Sequence, residues 1–157
     1  MSVDISYENG TLVVTRQFDA PRTAVFDAWI KTSKVELWWG CGFATEVKSH
    51  VEPEVGGKYH HLMTLPEAGE YPHRGLIIEY EPPTLLAYEL TDQFHDEKMF
   101  VRVVFTEEGG KTTVRLTQRN LLDAYSQFVM SGWASAFEGL AYLLETGDNP
   151  RERPLAH

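Results

Sequence analysis

The most informative segment for the architecture is residues 124–145, AYSQFVMSGWASAFEGLAYLLE. At 100° per residue this stretch places an apolar stripe along one face of a helix. The stripe comprises Val129, Gly132, Trp133, Ala136, Phe137, Leu140, Leu143 and Leu144, and Glu138 lies on the opposite face. A helix of this length spans about 33 Å at 1.5 Å per residue. We therefore expect one long amphipathic helix that covers a whole sheet.

The region before this helix is typical of β-strands separated by turns. The predicted strands are residues 44–51, 58–65, 75–80, 85–91, 99–106 and 112–119. Pro and Gly lie in the connections, for example Pro66, Gly69 and Pro72 in the connection over residues 66–72. Spacings of about 8–14 residues with short loops favour an antiparallel meander.

The N-terminal part predicts one further strand and two short helices. The strand is residues 11–18, with residues 3–7 only weakly expected to pair with it. Pro21 suits the first turn of a helix. Ser33, with a glutamate three residues later, predicts an N-cap for a second helix over residues 34–39.

This order predicts an α+β fold with a curved, seven-stranded antiparallel sheet wrapped around the long C-terminal helix. The apolar face of the sheet has to be covered, and no other predicted helix is long enough. A curved sheet rarely closes completely on one helix, so we expect an apolar cavity between them. A single domain is predicted over residues 1–147, and residues 148–157 are predicted to form a polar tail.

Composition and charge exclude several classes of partner. The net charge is -9, and no basic stripe is present, which disfavours nucleic acid and anionic lipid surfaces. No apolar run reaches the roughly 18–20 residues of a membrane span. One cysteine, Cys41, cannot form an internal disulfide, which favours a reducing cytoplasm, and no secretory signal is apparent.

The histidines do not have the spacing of a metal site, and we expect neither a metal nor a cofactor. Adjacent residues on a strand point to opposite faces, so His60 and His61 cannot chelate one ion together. His73 is predicted to lie in the loop that follows. The sequence contains no His-Glu-x-x-His motif, phosphate loop, nucleophile elbow or dinucleotide fingerprint.

The strand period of two predicts which side chains face the cavity. If Lys58 faces solvent, then Tyr59, His61 and Met63 face the helix. His61 would then fix a polar group of a ligand or act as an acid or base, unless it is a core histidine bonded to a neighbour. Gln118 also points inward and needs partners from the backbone, water or a ligand.

Two further positions need a specific explanation. Glu79 would face inward if it alternates with Ile77, but the preferred interpretation is a glutamate at the strand end that reaches solvent or a partner such as Arg22 or Arg102. Gly132, in the middle of the helix, is interpreted as permitting close approach of the helix to the sheet, because glycine there otherwise costs about 1 kcal/mol relative to alanine.

Several short motifs resemble, in order and spacing, the family named after the activator of the 90-kDa heat-shock protein ATPase. The match covers roughly residues 11–146. The motifs are Arg16-Gln17-Phe18-Asp19-Ala20-Pro21, Val25-Phe26-Asp27-Ala28-Trp29, Trp38-Trp39-Gly40, Gly56-Gly57-Lys58-Tyr59, Gly75 before Glu79, Glu81-Pro82-Pro83 and Ser131-Gly132-Trp133.

This resemblance implies the START-like helix-grip fold of the SRPBCC superfamily, in agreement with the order of elements above. Members of that superfamily bind hydrophobic ligands, act as cyclases or assist a chaperone. The eukaryotic activator carries a separate N-terminal chaperone-binding domain, for which this length leaves no room. A chaperone partner is therefore not the favoured expectation.

The leading hypothesis is a binding domain for an unknown apolar or aromatic small molecule, with no catalytic residue. The alternatives are a cyclase or hydrolase that uses the same cavity, with His61, Gln118 or Glu79 as proton handlers, and a chaperone-cofactor-like interaction module. A homodimer is a further possibility. The residues predicted to contact the ligand are Trp38, Trp39, Tyr59, His61, Met63, Tyr88, Gln118, Phe128, Trp133 and Phe137.

Overall fold

The α+β order of elements predicted from the sequence is present in the computed structural model, which describes residues 3–92 and 95–152. Two short 3-10 helices, Asp123–Tyr125 and Pro150–Glu152, flank the long helix. The main elements are β1 (Asp4–Glu8), β2 (Thr11–Phe18), α1 (Arg22–Ile30), α2 (Thr32–Trp38), β3 (Glu46–Val51), β4 (Lys58–Leu65), β5 (Gly69–Glu81), β6 (Leu85–Asp92), β7 (His95–Glu108), β8 (Lys111–Arg119) and α3 (Ser126–Thr146).

In the described part of the chain, eight antiparallel strands form one sheet in the order β1-β2-β8-β7-β6-β5-β4-β3. The sequence predicted seven, and the additional strand is β1, which pairs with β2 from Asp4 opposite Thr15 to Glu8 opposite Thr11. β2 in turn pairs with β8, so the beginning of the chain lies beside the last strand.

Aromatic side chains from both N-terminal helices and from α3 form the centre of the core. Trp29 of α1 is fully buried. Its ring centroid lies 4.7–6.3 Å from those of Trp38, Trp39, Trp133 and Phe137. The predicted stripe of α3 is therefore packed against α1 and the segment around α2 as well as against the sheet.

A buried arginine fastens β2 to α3. Arg16 is only 6% exposed, and its Nη1 donates to the backbone carbonyl of Phe137 at 3.1 Å and to Oε1 of Glu138 at 2.8 Å. The guanidinium carbon also lies 5.2 Å from the ring centroid of Phe18. Glu138, predicted to lie away from the core, thus has a structural partner at the edge of the helix.

The predicted capping box of the second helix is wrong. α2 begins at Thr32, and its N-terminus has no side-chain cap. Glu36, the predicted partner of Ser33, binds β3 instead and accepts a hydrogen bond from the backbone N–H of Ser49. The hydroxyl of Thr32, at the start of α2, accepts a hydrogen bond from the backbone N–H of Val51. These tertiary bonds replace the local cap and fix α2 against the edge strand.

The loop predicted over residues 66–72 is shorter than expected, because residues 66–68 form the turn and residues 69–72 belong to a strand. β4 continues to Leu65 and β5 begins at Gly69, directly opposite it. Pro72 lies within β5, where it pairs with Leu62. The long ladder between two strands outweighs the local turn signal of one proline, and His73 is therefore a strand residue.

The first half of the predicted C-terminal tail is packed against the domain. Pro150 is buried, and the short helix Pro150–Glu152 contacts α2 and α3. Residues 153–157 of the predicted tail lie outside the described residues.

Gly139, rather than Gly132, is the glycine at which α3 closely approaches a neighbour. A Cβ at position 139 would lie 2.9 Å from both the Cβ and the Sγ of Cys41. A Cβ at position 132 would meet only the Cε2 of Phe43, at an ordinary 3.5 Å. The expectation of close packing at Gly132 is therefore wrong, because this part of α3 borders open space.

We expect Gly139→Ala to destabilise the fold and Gly132→Ala to stabilise it. Alanine gains about 0.8–1 kcal/mol of helix propensity at either site, but overpacking against Cys41 costs about 1–3 kcal/mol at position 139. Urea denaturation midpoints measure the difference. Equal shifts in both variants would contradict the packing described here.

Candidate functional site

A cavity of about 100 Å³ lies between α3 and the sheet. Its walls come from α3, from β4 to β8 and from the segment after α2. None of the described residues that line it is an Asp, Glu, Lys or Arg. The lining consists of Trp39, Gly40, Phe43, Met63, Leu65, Tyr71, His73, Leu90, Met99, Gln118, Phe128, Val129, Gly132, Trp133 and Ala136.

The structure brings half of the predicted ligand contacts to this cavity. The five that line it are Trp39, Met63, Gln118, Phe128 and Trp133. The five that do not line it are all buried, and they are Trp38, Tyr59, His61, Tyr88 and Phe137.

Two of the five residues away from the wall have structural hydrogen bonds to the backbone of α1. The indole N–H of Trp38 donates to the carbonyl of Ala28 at 2.9 Å. The hydroxyl of Tyr59 donates to the carbonyl of Trp29 at 2.8 Å. These bonds hold both rings in the core. Strand parity and helix position predicted that the rings face inward, but not that they lie behind the cavity wall.

Trp39 separates His61 from the cavity. Its ring stacks on the imidazole of His61 with centroids 3.9 Å apart and an interplanar angle of 21°. The edge of Trp133 meets the same indole at 5.1 Å. Trp39 is 4% exposed and lines the cavity, so it forms a wall between the open space and the strand residues behind it.

Gln118 finds its hydrogen-bond partners among neighbouring side chains. The indole N–H of Trp133 donates to its Oε1 at 2.9 Å, and its Nε2 donates to the sulfur of Met99 at 3.4 Å. The amide therefore fixes the position of two cavity walls relative to β8.

His73 is a cavity residue that the sequence analysis missed. It pairs directly with His61 across β4 and β5, and the two ring centroids are 5.6 Å apart. The signal that could have identified it is the alternation of side chains between the two faces of a strand. Because β5 begins at Gly69, residues 71, 73, 75 and 77 share one face. Only the interpretation of Pro72 as a loop residue concealed this pattern.

Three polar atoms beside the cavity are buried and have no hydrogen-bond partner in the described part of the chain. They are the Nε2 atoms of His61 and His73 and the hydroxyl of Tyr88. The other ring nitrogen of His61 is within 2.8 Å of the hydroxyl of Ser49. The centroids of His73 and Tyr88 are 5.9 Å apart, so these groups form one cluster.

Burial keeps the cluster uncharged at neutral pH. Burial, followed by repulsion from His60, lowers the pKa of His73 from 6.5 to about 3. The pKa of His61 falls well below 6.5, mainly through burial and then through repulsion from His73 and His60. Burial also raises the pKa of Tyr88 well above 10.

Glu79 lies outside the cavity, as the preferred interpretation expected. Its Oε2 accepts a hydrogen bond from the Nε of Arg102 at 3.1 Å. A register shift between Ile77 and Glu79 interrupts the alternation of β5 at this point. The buried position of Ile77 therefore does not carry over to the glutamate.

A clamp from the C-terminal segment holds the part of the wall that follows α2. The guanidinium of Arg151 donates hydrogen bonds to backbone carbonyls between residues 36 and 44, at the end of α2 and just after it. This segment includes the cavity residues Trp39, Gly40 and Phe43. The acceptors are Glu36 and Leu37, each at 2.6 Å, Trp39, and Ala44 at 3.5 Å.

Across residues 3–92 and 95–152, no three His, Cys, Asp or Glu side chains are grouped so that they could hold a metal ion. The helices in these ranges are also too short or too polar to cross a membrane. The cavity is thus the candidate site that the described residues offer.

Comparison with known proteins finds a family and a fold. The profile of the family described as activator of Hsp90 ATPase homolog 1-like protein matches residues 19–145. No curated protein matches the chain.

Solved bacterial structures share the fold at low identity. Protein Ms6760 from Mycobacterium smegmatis is 22% identical, with a TM-score of 0.77 over 90% of this chain and 96% of that one. A protein from Rhodobacter sphaeroides is 18% identical, with a TM-score of 0.81 over 92% and 99%. CalU16 from Micromonospora echinospora is 20% identical, with a TM-score of 0.69 over 94% and 86%.

The buried histidines predict that the protein loses stability on mild acidification. Their stabilising effect is fully present above pH 6.5 and is lost as pH falls toward 3, because the unfolded chain takes up protons that the folded chain does not. The slope is at most about 1.4 kcal/mol per pH unit for each histidine. Urea denaturation of the wild type and of His73→Phe at pH 7, 6 and 5 tests this, and an unchanged slope in the variant would contradict it.

Proposed function

We propose that this chain, which belongs to the family of activator of Hsp90 ATPase homolog 1-like proteins, binds a small apolar or aromatic molecule. The binding site is the cavity between α3 and the sheet. The observation that carries the proposal is the lining itself. Aromatic and aliphatic side chains form most of it, and His73 and Gln118 add polar groups. Binding sites for small molecules typically have this composition.

The size of the cavity fits a small ligand with a single ring. Its volume of about 100 Å³ is of the same order as the ~150 Å³ apolar cavity that accommodates benzene. Phe128 lines the cavity and is 50% exposed, so the space reaches the surface at the beginning of α3. A ligand can therefore enter beside Phe128 without unfolding the sheet.

The arrangement favours binding over catalysis. The three proton handlers considered from the sequence do not converge, since Trp39 covers His61 and Glu79 pairs with Arg102. The oxygen and the nitrogen of the Gln118 amide contact Trp133 and Met99, respectively. A chaperone partner, a homodimer and a cytoplasmic location stay predictions of the sequence.

Gly132 offers a way to close the cavity without disturbing the core. We expect Gly132→Leu to extend its side chain into the open space, since only Phe43 lies within 4 Å of a Cβ at this position. The matched control, Ser131→Leu, adds the same side chain at the neighbouring exposed position.

The test is titration with iodobenzene, an uncharged one-ring probe whose heavy atom quenches the emission of tryptophans beside it. The wild type and Ser131→Leu should bind the probe and show quenching of tryptophan emission, whereas Gly132→Leu should bind at least tenfold more weakly with an unchanged far-UV spectrum. Equal binding by all three proteins would contradict the proposed site. Release of a chemically altered product from a metabolite mixture would favour the catalytic alternative.

A further inference from the structure

The cluster of His61, His73 and Tyr88 leaves three buried polar atoms without partners in the described residues. Buried polar groups in proteins nearly always have a partner, either protein or ordered water. Unpaired groups of this kind next to an apolar cavity point to a hydrogen bond that a bound molecule completes.

Of these three side chains, His73 is the one that reaches the cavity wall. His61 lies behind the stacked ring of Trp39, and Tyr88 is fully buried and does not line the cavity. The ring of Trp39 meets His73 nearly edge-on at 4.9 Å, so it flanks the imidazole without covering it in a parallel stack. A ligand in the cavity thus meets His73 first.

The electrostatic surroundings define the charge of the ligand. No Asp, Glu, Lys or Arg is among the described residues that line the cavity. Burial lowers the pKa of His73 to about 3, so its ring is neutral at pH 7 and has one donor and one acceptor nitrogen. A carboxylate or an ammonium group in this space would lose its hydration without gaining an opposite charge.

We propose that the ligand is an uncharged ring compound with a hydroxyl group, and that the imidazole of His73, which borders the cavity, turns its buried Nε2, unpaired among the described residues, toward this hydroxyl and forms the hydrogen bond that recognises it. The inference rests on the proposed function and adds a ligand class and a specificity-determining residue to it. A hydroxyl both donates and accepts, so it matches either tautomer of the imidazole. The aromatic walls, Trp39 and Trp133, contact the ring of the ligand.

The same argument does not apply to Gln118, although it also lines the cavity. Its oxygen already accepts from Trp133, and its nitrogen already contacts Met99. The Gln118 amide is thus already held by two partners within the protein, whereas the Nε2 of His73 has none in the described residues.

Three probes that share a methylphenyl ring and differ only in the group opposite the methyl test the ligand class by calorimetry at pH 7: 4-methylphenol, toluene and 4-methylbenzoate. We expect the wild type to bind 4-methylphenol about fivefold more tightly than toluene, in line with one net hydrogen bond. The charged 4-methylbenzoate should bind at least tenfold more weakly than 4-methylphenol. In His73→Phe, the preference for 4-methylphenol over toluene should disappear while toluene still binds.

The matched control is His60→Phe, which makes the same substitution on the neighbouring strand position that faces away from the cavity. This variant should keep the fivefold preference. A preference that persists in His73→Phe, equal binding of toluene and 4-methylphenol by the wild type, or tightest binding of 4-methylbenzoate would each overturn the inference and leave the proposed function intact. Failure of the wild type to bind any of the probes would overturn both.

A measurement on the wild type keeps the proposal testable if His73→Phe does not fold. In ¹⁵N NMR spectra of the histidine rings, 4-methylphenol should shift the Nε2 resonance of His73, and toluene should shift it much less. The ring resonances of His60 serve as the internal reference. An unmoved His73 resonance at saturating 4-methylphenol would overturn the assignment.

Discussion

In the described part of the chain, one helix covers one face of an eight-stranded sheet, and the placement of the other helices follows from this requirement. Of the helices described, α3 alone is long enough to span the strands, and its stripe packs through Trp133, Phe137 and Leu140. One helix about 10 Å wide cannot fill the space above a sheet of this width. α1 and α2 fill part of it with Trp29 and Trp38, and the space they do not reach is the cavity.

Periodicity predicted which faces are buried but not how deeply each residue lies. The period of two on β4 identified Tyr59, His61 and Met63 as inward residues, yet only Met63 reaches the cavity. Whether an inward ring lines a space or supports the residue in front of it depends on tertiary neighbours, such as the indole of Trp39 over His61. Local sequence patterns contain no information on such neighbours.

The errors at the edges of elements have the same origin. Pro72 is a turn signal only while its strand has no partner, and the ladder between β4 and β5 incorporates it. Ser33 matches a capping box, but bonds from α2 to β3 replaced it. In both cases a contact between residues distant in sequence outweighed a preference of the local chain, and the first of these errors concealed His73.

The pairing of β2 with β8 has a consequence for the order in which the protein is made. A ribosome releases the N-terminus first, so β2 emerges long before Gln118, the partner of Leu12. Until then Leu12 and Val14 have only β1 as a neighbouring strand, and sheets that depend on such distant pairings fold slowly. The wall that includes Gln118 and Trp133 assembles only when translation has passed the beginning of α3, so the cavity forms after every strand of the described sheet has been made.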